Sequence, residues 1–172
     1  MKEKSRALTP TAILFLLLIA SAALRFYDLG AESLWNDELS SWMQSKVQTV
    51  NEVIANARDD VYPPGYLVFL YYFMRQFGDS ETVLRMPSAI AGVLATLPTY
   101  LLGKKLYSRN AGLTAAAIIT VSWNPVFYAQ EARSYSLLLM IWPLTAGQSR
   151  HSCRKLKRNT GWSILKKSRM PM

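Results

Sequence analysis

The amino-acid sequence predicts an all-α, polytopic membrane protein with about four transmembrane helices and amphipathic surface helices in the first outer loop. Two observations predict this class: apolar residues are concentrated in blocks, and most charged residues lie between the blocks. Overall composition decides less, because an apolar share of 51% and a mean hydropathy of +0.08 would also suit a soluble domain. The apolar blocks are residues 12–24, 66–77, 86–102, 111–127 and 136–144.

The first span, at about residues 8–26, is predicted to leave the N-terminus in the cytoplasm. Lys2, Lys4 and Arg6 precede it, and basic residues that flank a span favour the cytoplasmic side. A cleaved secretory signal is an alternative, because a basic start, an apolar stretch and Ala20-Ser21-Ala22 also fit that pattern. Both interpretations place the next segment outside.

Charge also decides how the second apolar block is placed. Residues 66–77 are too short for a comfortable span, and a block of that length is typical of an interfacial or re-entrant segment. If the block does not cross, Lys104, Lys105 and Arg109 form a cytoplasmic turn, which the positive-inside rule favours. We therefore expect an outer loop over residues 27–84. The later spans are then expected at about residues 85–103, 111–127 and, in part, 135–144.

A surface helix is predicted within the outer loop. Its apolar residues recur at spacings of three and four, the pattern of an amphipathic helix. They are Met43, Val47, Val50, Ile54 and Ala57. The segment at 59–64 is expected to end the helix, because its paired prolines cannot continue one.

The net charge of +9 does not indicate nucleic-acid binding. Eight of the twenty basic residues follow Gln148, where no acidic residue occurs, and the rest of the chain is nearly neutral. No nucleic-acid-binding motif accompanies them, so we expect no nucleic-acid partner. Cys153 is the single cysteine, which excludes an intramolecular disulfide and a zinc site built from several thiolates.

Motifs for soluble cofactors and dedicated metals are absent from the sequence. It contains no phosphate-binding glycine loop, no dinucleotide fingerprint, no His-Glu-x-x-His and no dense second acidic cluster. We expect no cofactor and no dedicated metal site, and the sequence leaves a divalent-metal requirement open. A phosphate-bearing donor is then expected to be a lipid phosphate that reaches the outer leaflet.

Asp37 and Glu38 are the candidate catalytic residues. They follow Asn36, which could cap a helix beginning at Asp37, and acids in a first turn often only complement the helix dipole. Trp35 and Trp42, however, bracket the pair with apolar surface. A partly desolvated carboxylate at a membrane interface is suited to act as general base toward a hydroxyl or an amine.

Arg85 and Arg133 are each predicted at the outer end of a span, so two separate loops bring cations to the same face. Arginine at such a position commonly anchors a helix by snorkelling. The functional alternative is forked recognition of a phosphate. Glu131 could instead pair with either arginine. Tyrosines such as Tyr135 supply aromatic surface at this level, as belt residues or as platforms for a sugar ring.

Four stretches of the sequence, taken in order, resemble a known family. They are residues 33–38 (Ser-Leu-Trp-Asn-Asp-Glu), 62–66 (Tyr-Pro-Pro-Gly-Tyr), 77–89, and 128–135 (Tyr-Ala-Gln-Glu-Ala-Arg-Ser-Tyr). Together they resemble the polytopic GT-C glycosyltransferases that use polyprenyl-phosphate sugars, which include protein O-mannosyltransferases and the aminoarabinose transferase of lipid A. The resemblance runs from about Leu24 to Met140.

The resemblance implies a helical membrane module whose first outer loop carries surface helices. It implies that Asp37 deprotonates the acceptor, that Glu38 supports it, and that two arginines steady the lipid-linked phosphate. The implied substrate-binding residues are Tyr62, Arg85, Gln130, Glu131, Arg133 and Tyr135. Tyr62 stands where many relatives have histidine and Gly65 where many have leucine, which leaves the acceptor contacts open.

The implied partners are a polyprenyl-phosphate-linked sugar donor and a lipid, glycan or protein acceptor, on the extracytoplasmic face of a bacterial or archaeal plasma membrane. Relatives continue through many more spans, whereas here the membrane pattern ends near residues 142–144 and a basic tail follows at 148–172. We expect this tail to be frameshifted or disordered, because the fourth apolar segment is too short to cross. The alternative is a genuine cytoplasmic extension attracted to anionic lipid.

Three hypotheses for function follow. The first is that residues 1–147 are the N-terminal part of a membrane glycosyltransferase. The second is a small non-catalytic membrane protein that binds lipid or a partner subunit through its tyrosine-rich outer surface. The third is an inactive remnant of a transferase, which is what we expect of a chain that lacks helices needed for a complete pocket.

Overall fold

The computed structural model describes residues 9–59 and 63–159, and every regular element within these ranges is an α-helix. The predicted all-α class is therefore confirmed. The helices are α1 (Pro10–Phe26), α2 (Asn36–Ser45), α3 (Val50–Asp59), α4 (Pro64–Phe77), α5 (Glu81–Leu106), α6 (Arg109–Val121), α7 (Trp123–Phe127) and α8 (Tyr135–Asn159).

Three helix starts follow from local side-chain caps. The hydroxyl oxygens of Thr9, Ser80 and Ser108 accept hydrogen bonds of 3.1–3.4 Å from the amide three residues later, at the starts of α1, α5 and α6. Helix α4 ends at Gly78, whose φ of 95° favours glycine. That turn brings the chain directly to the start of α5.

Helix α5 is the centre of the bundle and packs against α1, α6 and α8. Gly103 allows the backbones of α5 and α6 to approach closely, because a Cβ added there would lie 2.8 Å from the Cα of Gly112. Near the same end, Lys105 Nζ donates to the carbonyl of Gly147 on α8 at 3.0 Å. The basic α5–α6 turn therefore closes the end of the bundle where α5 finishes.

Helix α5 is also long and apolar enough to cross a membrane. Helix α1 and the apolar part of α8, Tyr135–Gly147, are apolar but shorter. Helices thus lie at three of the predicted spans, 8–26, 85–103 and 135–144. Helix α8 continues through Pro143 to Asn159, so residues 148–159 of the predicted tail extend a helix, and residues 160–172 lie outside the described residues.

The predicted span at 111–127 is wrong as one continuous helix. The chain breaks at Ser122, whose ψ of 135° is extended, and α6 gives way to the short helix α7. Pro125 has no amide hydrogen to donate to the carbonyl of Val121, four residues earlier, so a helix continuing from α6 would lack that hydrogen bond. The last turn of α6 therefore presents carbonyls that need other donors.

The prediction of one continuous surface helix is also wrong, because two separate helices occupy this segment. Helix α2 ends at Ser45 and α3 begins at Val50. Thr49 caps the start of α3: Glu52 N donates to Thr49 Oγ1 at 3.3 Å. The Glu52 carboxylate reaches back to the preceding turn, where its Oε2 accepts from Gln48 N at 3.2 Å. Helix α2 itself begins at Asn36, one residue earlier than expected, and Trp35 rather than Asn36 occupies the N-cap position.

Helices α2, α3 and α4 pack into a layer with its own core against the start of α5. Helices α3 and α4 face each other, and α2 lies against α4. The buried residues of this layer are Val53, Ala57, Tyr66, Leu67, Leu70, Tyr71, Met74, Leu84 and Ala132. Since Leu84 precedes Arg85 and Ala132 precedes Arg133, the core fixes both predicted arginines at one end of the bundle.

Candidate charged site at one end of the bundle

Segments far apart in sequence meet around the ion pair of Glu38 and Arg85. Arg85 Nε donates to Glu38 Oε1 at 2.8 Å, and Arg85 Nη2 donates to Glu38 Oε2 at 2.6 Å. The Glu38 side chain is 1% exposed and that of Arg85 is 7% exposed. This is the bidentate geometry in which a guanidinium binds a carboxylate most specifically.

The other donors of Arg85 bind the loop that follows α1. Nη1 donates to the carbonyls of Leu29 at 3.1 Å and Glu32 at 2.9 Å, and Nη2 also donates to the carbonyl of Ser33 at 3.4 Å. A guanidinium has five N–H groups, and these contacts supply five acceptors from the protein. Arg85 therefore fastens α5, α2 and the loop that follows α1 together.

Glu38 accepts a third hydrogen bond, from the amide of Ala132 to Oε1 at 2.8 Å. A buried carboxylate that binds a guanidinium and an amide is well compensated, and removing either partner would leave an uncompensated buried charge. The geometry makes Glu38 a structural link between α2, α5 and the segment before α8.

Asp37, the preceding residue, has different surroundings. Its side chain is 66% exposed, and its Oδ2 lies 2.5 Å from Nη2 of Arg133, whose side chain is 5% exposed. The guanidinium carbon of Arg133 also lies 5.9 Å from the ring centroid of Tyr135. One predicted carboxylate is thus buried and the other reaches solvent.

The segment at 128–134 is fastened by side chains from several elements. Gln130 Nε2 donates to the carbonyls of Tyr27 at 2.9 Å and Leu24 at 3.3 Å, which caps the end of α1. Ser88 Oγ donates to the carbonyl of Arg133 at 2.8 Å. Tyr66 OH lies 3.5 Å from Ser88 Oγ, and burial raises the pKa of this phenol. The segment is therefore held in one position.

A cavity of about 760 Å³ opens beside Glu38 and Arg85. It is bounded by the loop after α1, by α7 and by the segment before α8. Its lining residues are Tyr27, Asp28, Leu29, Ala31, Glu32, Ser33, Trp35, Glu38, Arg85, Trp123, Phe127, Gln130 and Glu131. Asp28 has a φ of 57°, a left-handed conformation that aspartate adopts more readily than most residues, and it turns the chain along the cavity wall.

Glu131 lines this cavity and is 8% exposed. Burial is the largest cause that raises the pKa of its carboxyl, and the charge of Glu38 raises it further. The pairing considered from sequence is not formed: Arg85 pairs with Glu38 and Arg133 with Asp37. Within residues 9–59 and 63–159, the Glu131 carboxylate has neither a hydrogen bond nor an ion pair.

Arg25 was not recognised as a site residue from sequence, where it only marked the end of the first apolar block. Its side chain is fully buried between α1, α5 and α6. Nη2 donates to the carbonyl of Ile119 at 3.0 Å, and Nη1 donates to Ser21 Oγ at 2.7 Å and to the carbonyl of Thr120 at 3.4 Å. Arg25 thus satisfies carbonyls at the end of α6, as cations near helix C-termini commonly do.

The structure brings most of the predicted site residues to one end of the bundle. Tyr62 lies outside the described residues. Sequence reasoning missed the wall formed by Trp123 and Phe127, because both were placed inside a continuous span. The dipeptide Asn124-Pro125 was the signal that could have shown the break.

The fold and the site together define an all-helical, membrane-associated protein with buried and exposed ion pairs at one end of its bundle. A family model described as dolichyl-phosphate-mannose-protein mannosyltransferase matches residues 61–165, more than half of the chain. The chain therefore belongs to this family of glycosyltransferases.

The matched range includes Arg85 and residues 128–135, and it begins after Asp37 and Glu38. It also continues past Gln148 into the basic tail, for which frameshifting stays a prediction. Searches of curated proteins and of solved structures gave no match for the chain.

Proposed function

We propose that this chain is the N-terminal part of a membrane glycosyltransferase that moves a sugar from a polyprenyl-phosphate donor to an acceptor outside the cytoplasm. The observation that carries the proposal is the pairing of exposed Asp37 with buried Arg133, next in sequence to the buried pair partner Glu38. Family membership supports the reaction class. The donor, the acceptor and the outer location are part of the proposal.

Asp37 is the proposed general base. Its carboxylate takes the proton of the acceptor hydroxyl while the acceptor oxygen bonds to the anomeric carbon of the sugar. The bond between that carbon and the phosphate oxygen breaks, and its electron pair leaves with the polyprenyl phosphate. Arg133 holds the carboxylate in place through the contact of Nη2 with Oδ2.

Glu38 and Arg85 are proposed as positioning residues. The five contacts of Arg85 are all to protein oxygens, which leaves it poorly placed to receive a lipid phosphate. Arg133 is the other candidate for that phosphate, because its Nη2 meets the exposed carboxylate of Asp37, the proposed base. Gln130 and Tyr135 keep the proposed role of shaping the pocket.

The test is transfer of a radiolabelled sugar from a polyprenyl-phosphate donor, in membranes that contain the full chain. Asp37→Asn should lower the rate at least about 100-fold, the usual contribution of a general base. Asp79→Asn is the control, since Asp79 is an exposed carboxylate paired with Lys46 elsewhere on the surface. Equal rates for wild type and Asp37→Asn would reject Asp37 as the base.

A non-catalytic, lipid-binding protein is the second candidate, and one observation favours it. Helix α4 carries an aromatic stripe whose neighbouring rings lie 5.8 Å (Phe69 and Phe73) and 4.6 Å (Phe73 and Phe77) apart. Phe69 is 49% and Phe77 61% exposed, as suits a helix at a membrane interface. A chain that inserts stably yet transfers no sugar from any polyprenyl-phosphate donor would favour this candidate.

A further inference from the structure

The cavity is acidic. Four acidic residues line it, Asp28, Glu32, Glu38 and Glu131, together with one basic residue, Arg85. Arg85 neutralises Glu38, and its remaining N–H groups donate to backbone carbonyls. The lining residues therefore include more acids than bases, and this charge opposes the entry of a phosphate.

The second and independent observation is the state of Glu131. Its side chain is more than nine-tenths buried, it lines the cavity, and within the described residues its carboxylate has neither a hydrogen bond nor an ion pair. A buried carboxylate is costly unless it finds a partner. Because Glu131 lines the cavity, a molecule bound there can reach it, and we expect its partner to be a ligand.

Aromatic rings form the wall that bounds the same cavity. Phe127 packs edge-on against Trp35, with centroids 6.3 Å apart, and stacks on Trp123 at 6.0 Å. Trp35 is 55% exposed and Trp123 75% exposed, so ring surface remains available. A cation placed over an aromatic face is attracted by the negative charge of that face.

We propose that this cavity binds a protonated amine, with Glu131 as its ion-pair partner and the rings of Trp35 and Trp123 beside it. A divalent cation fits less well, because the described residues contain no group of three acidic, histidine or cysteine side chains close enough to hold one. Amine binding itself does not depend on the proposed function. Only the source of the amine, which is the donor sugar or the acceptor, rests on it.

The test measures equilibrium binding to the full chain in lipid nanodiscs by titration calorimetry at neutral pH. The probes are the methyl glycoside of 2-amino-2-deoxyglucose, its neutral N-acetyl derivative, and 2-aminoethanol. We expect at least one amine to bind about tenfold or more tightly than the N-acetyl derivative, as a hydrogen bond to a charged group contributes on this scale. Preference for the aminoglycoside over 2-aminoethanol assigns the amine to a sugar, and equal binding assigns it to an acyclic acceptor.

Glu131→Gln keeps the shape of the side chain and removes its charge, so it should abolish the preference for the amine while leaving the weak binding of the N-acetyl derivative unchanged. Glu81→Gln is the matched control, because Glu81 is exposed at the start of α5 and does not line the cavity. Trp123→Leu should weaken amine binding several-fold. Equal affinity for amine and N-acetyl probes, no binding of any probe, or an unaltered preference in Glu131→Gln would overturn the proposal.

The binding measurement needs no turnover, so its failure can be told from failure of the proposed function. Amine binding without sugar transfer would reject the transferase and leave this inference standing. Sugar transfer together with equal binding of both glycosides would reject this inference and leave the proposed transferase standing.

Discussion

The guanidinium of Arg85 donates hydrogen bonds to both carboxylate oxygens of Glu38, at 2.8 and 2.6 Å, inside the protein. Asp37, one residue earlier, reaches solvent and meets Arg133. Two adjacent acids that look equivalent in sequence therefore have different surroundings: Glu38 is buried and links three segments of the chain, and Asp37 stays exposed to solvent.

Glu38→Ala should destabilise the protein by about 3–5 kcal/mol, because it leaves the buried guanidinium of Arg85 without its counter-charge. The measurement is the free energy of unfolding from denaturant titration in detergent micelles. Asp79→Ala, which removes a carboxylate from a solvent-exposed pair, should leave that free energy nearly unchanged. Equal losses in the two variants would show that the buried pair is not a structural link.

Arg25→Met should cost about 1.5–3 kcal/mol, because the carbonyls at the end of α6 lose their charged donor. Trp123 begins α7 directly after this break, so its fluorescence maximum should also shift. Arg58→Met, a substitution of the same chemistry on an exposed position of α3, is the control. Unchanged stability and fluorescence in Arg25→Met would show that the α6–α7 break is independent of Arg25.

The stability of the protein should depend on pH through Glu131. Its folded-state pKa is raised by burial above the ordinary value of 4.5, so its favourable contribution is complete below that value. The contribution is lost as pH rises through the folded-state pKa, when the buried carboxyl ionises. Glu131→Gln should therefore gain thermal stability relative to wild type at pH 8 but not at pH 4, and a difference that does not vary with pH would contradict this.

Thr49→Ala should cost about 1 kcal/mol, because it removes the hydroxyl that caps α3 and binds Glu52 at 2.9 Å. Asn51→Ala, on the exposed face of the same turn, should change the free energy of unfolding much less. Circular dichroism during denaturant titration measures both. If the two variants lose the same stability, the Thr49 cap does not determine where α3 begins.

Much of the fold could be predicted from hydrophobic blocks and flanking charges, because both are properties of short, local stretches of sequence. Three of the expected spans correspond to helices, and α5 has the length and hydropathy to cross a membrane. The two helix breaks that we missed also have local causes. They are the Thr49 cap between α2 and α3 and the proline after Asn124, near the break between α6 and α7. A pattern of apolar spacing averages over such single residues and joins helices that they separate.

The partners within the site could not be predicted in the same way. Arg85 and Glu38 are 47 residues apart, and the amide of Ala132 that also binds Glu38 is 94 residues away. Sequence placed these groups on one face by topology alone, which does not fix which carboxylate meets which arginine. Arg25 was missed because its acceptors, the carbonyls of Ile119 and Thr120, have no signature in the sequence.

The links of Glu38 also dictate an order of events while the chain is made. The ribosome releases Glu38 long before Arg85, and Arg85 well before Ala132, so Glu38 lacks all three of its hydrogen bonds until Arg85 has emerged. The charged site can close only after the beginning of α8 has left the ribosome. Assembly of this end of the protein therefore ends with the segment at 128–134, whose residues bind the end of α1, α2 and α5.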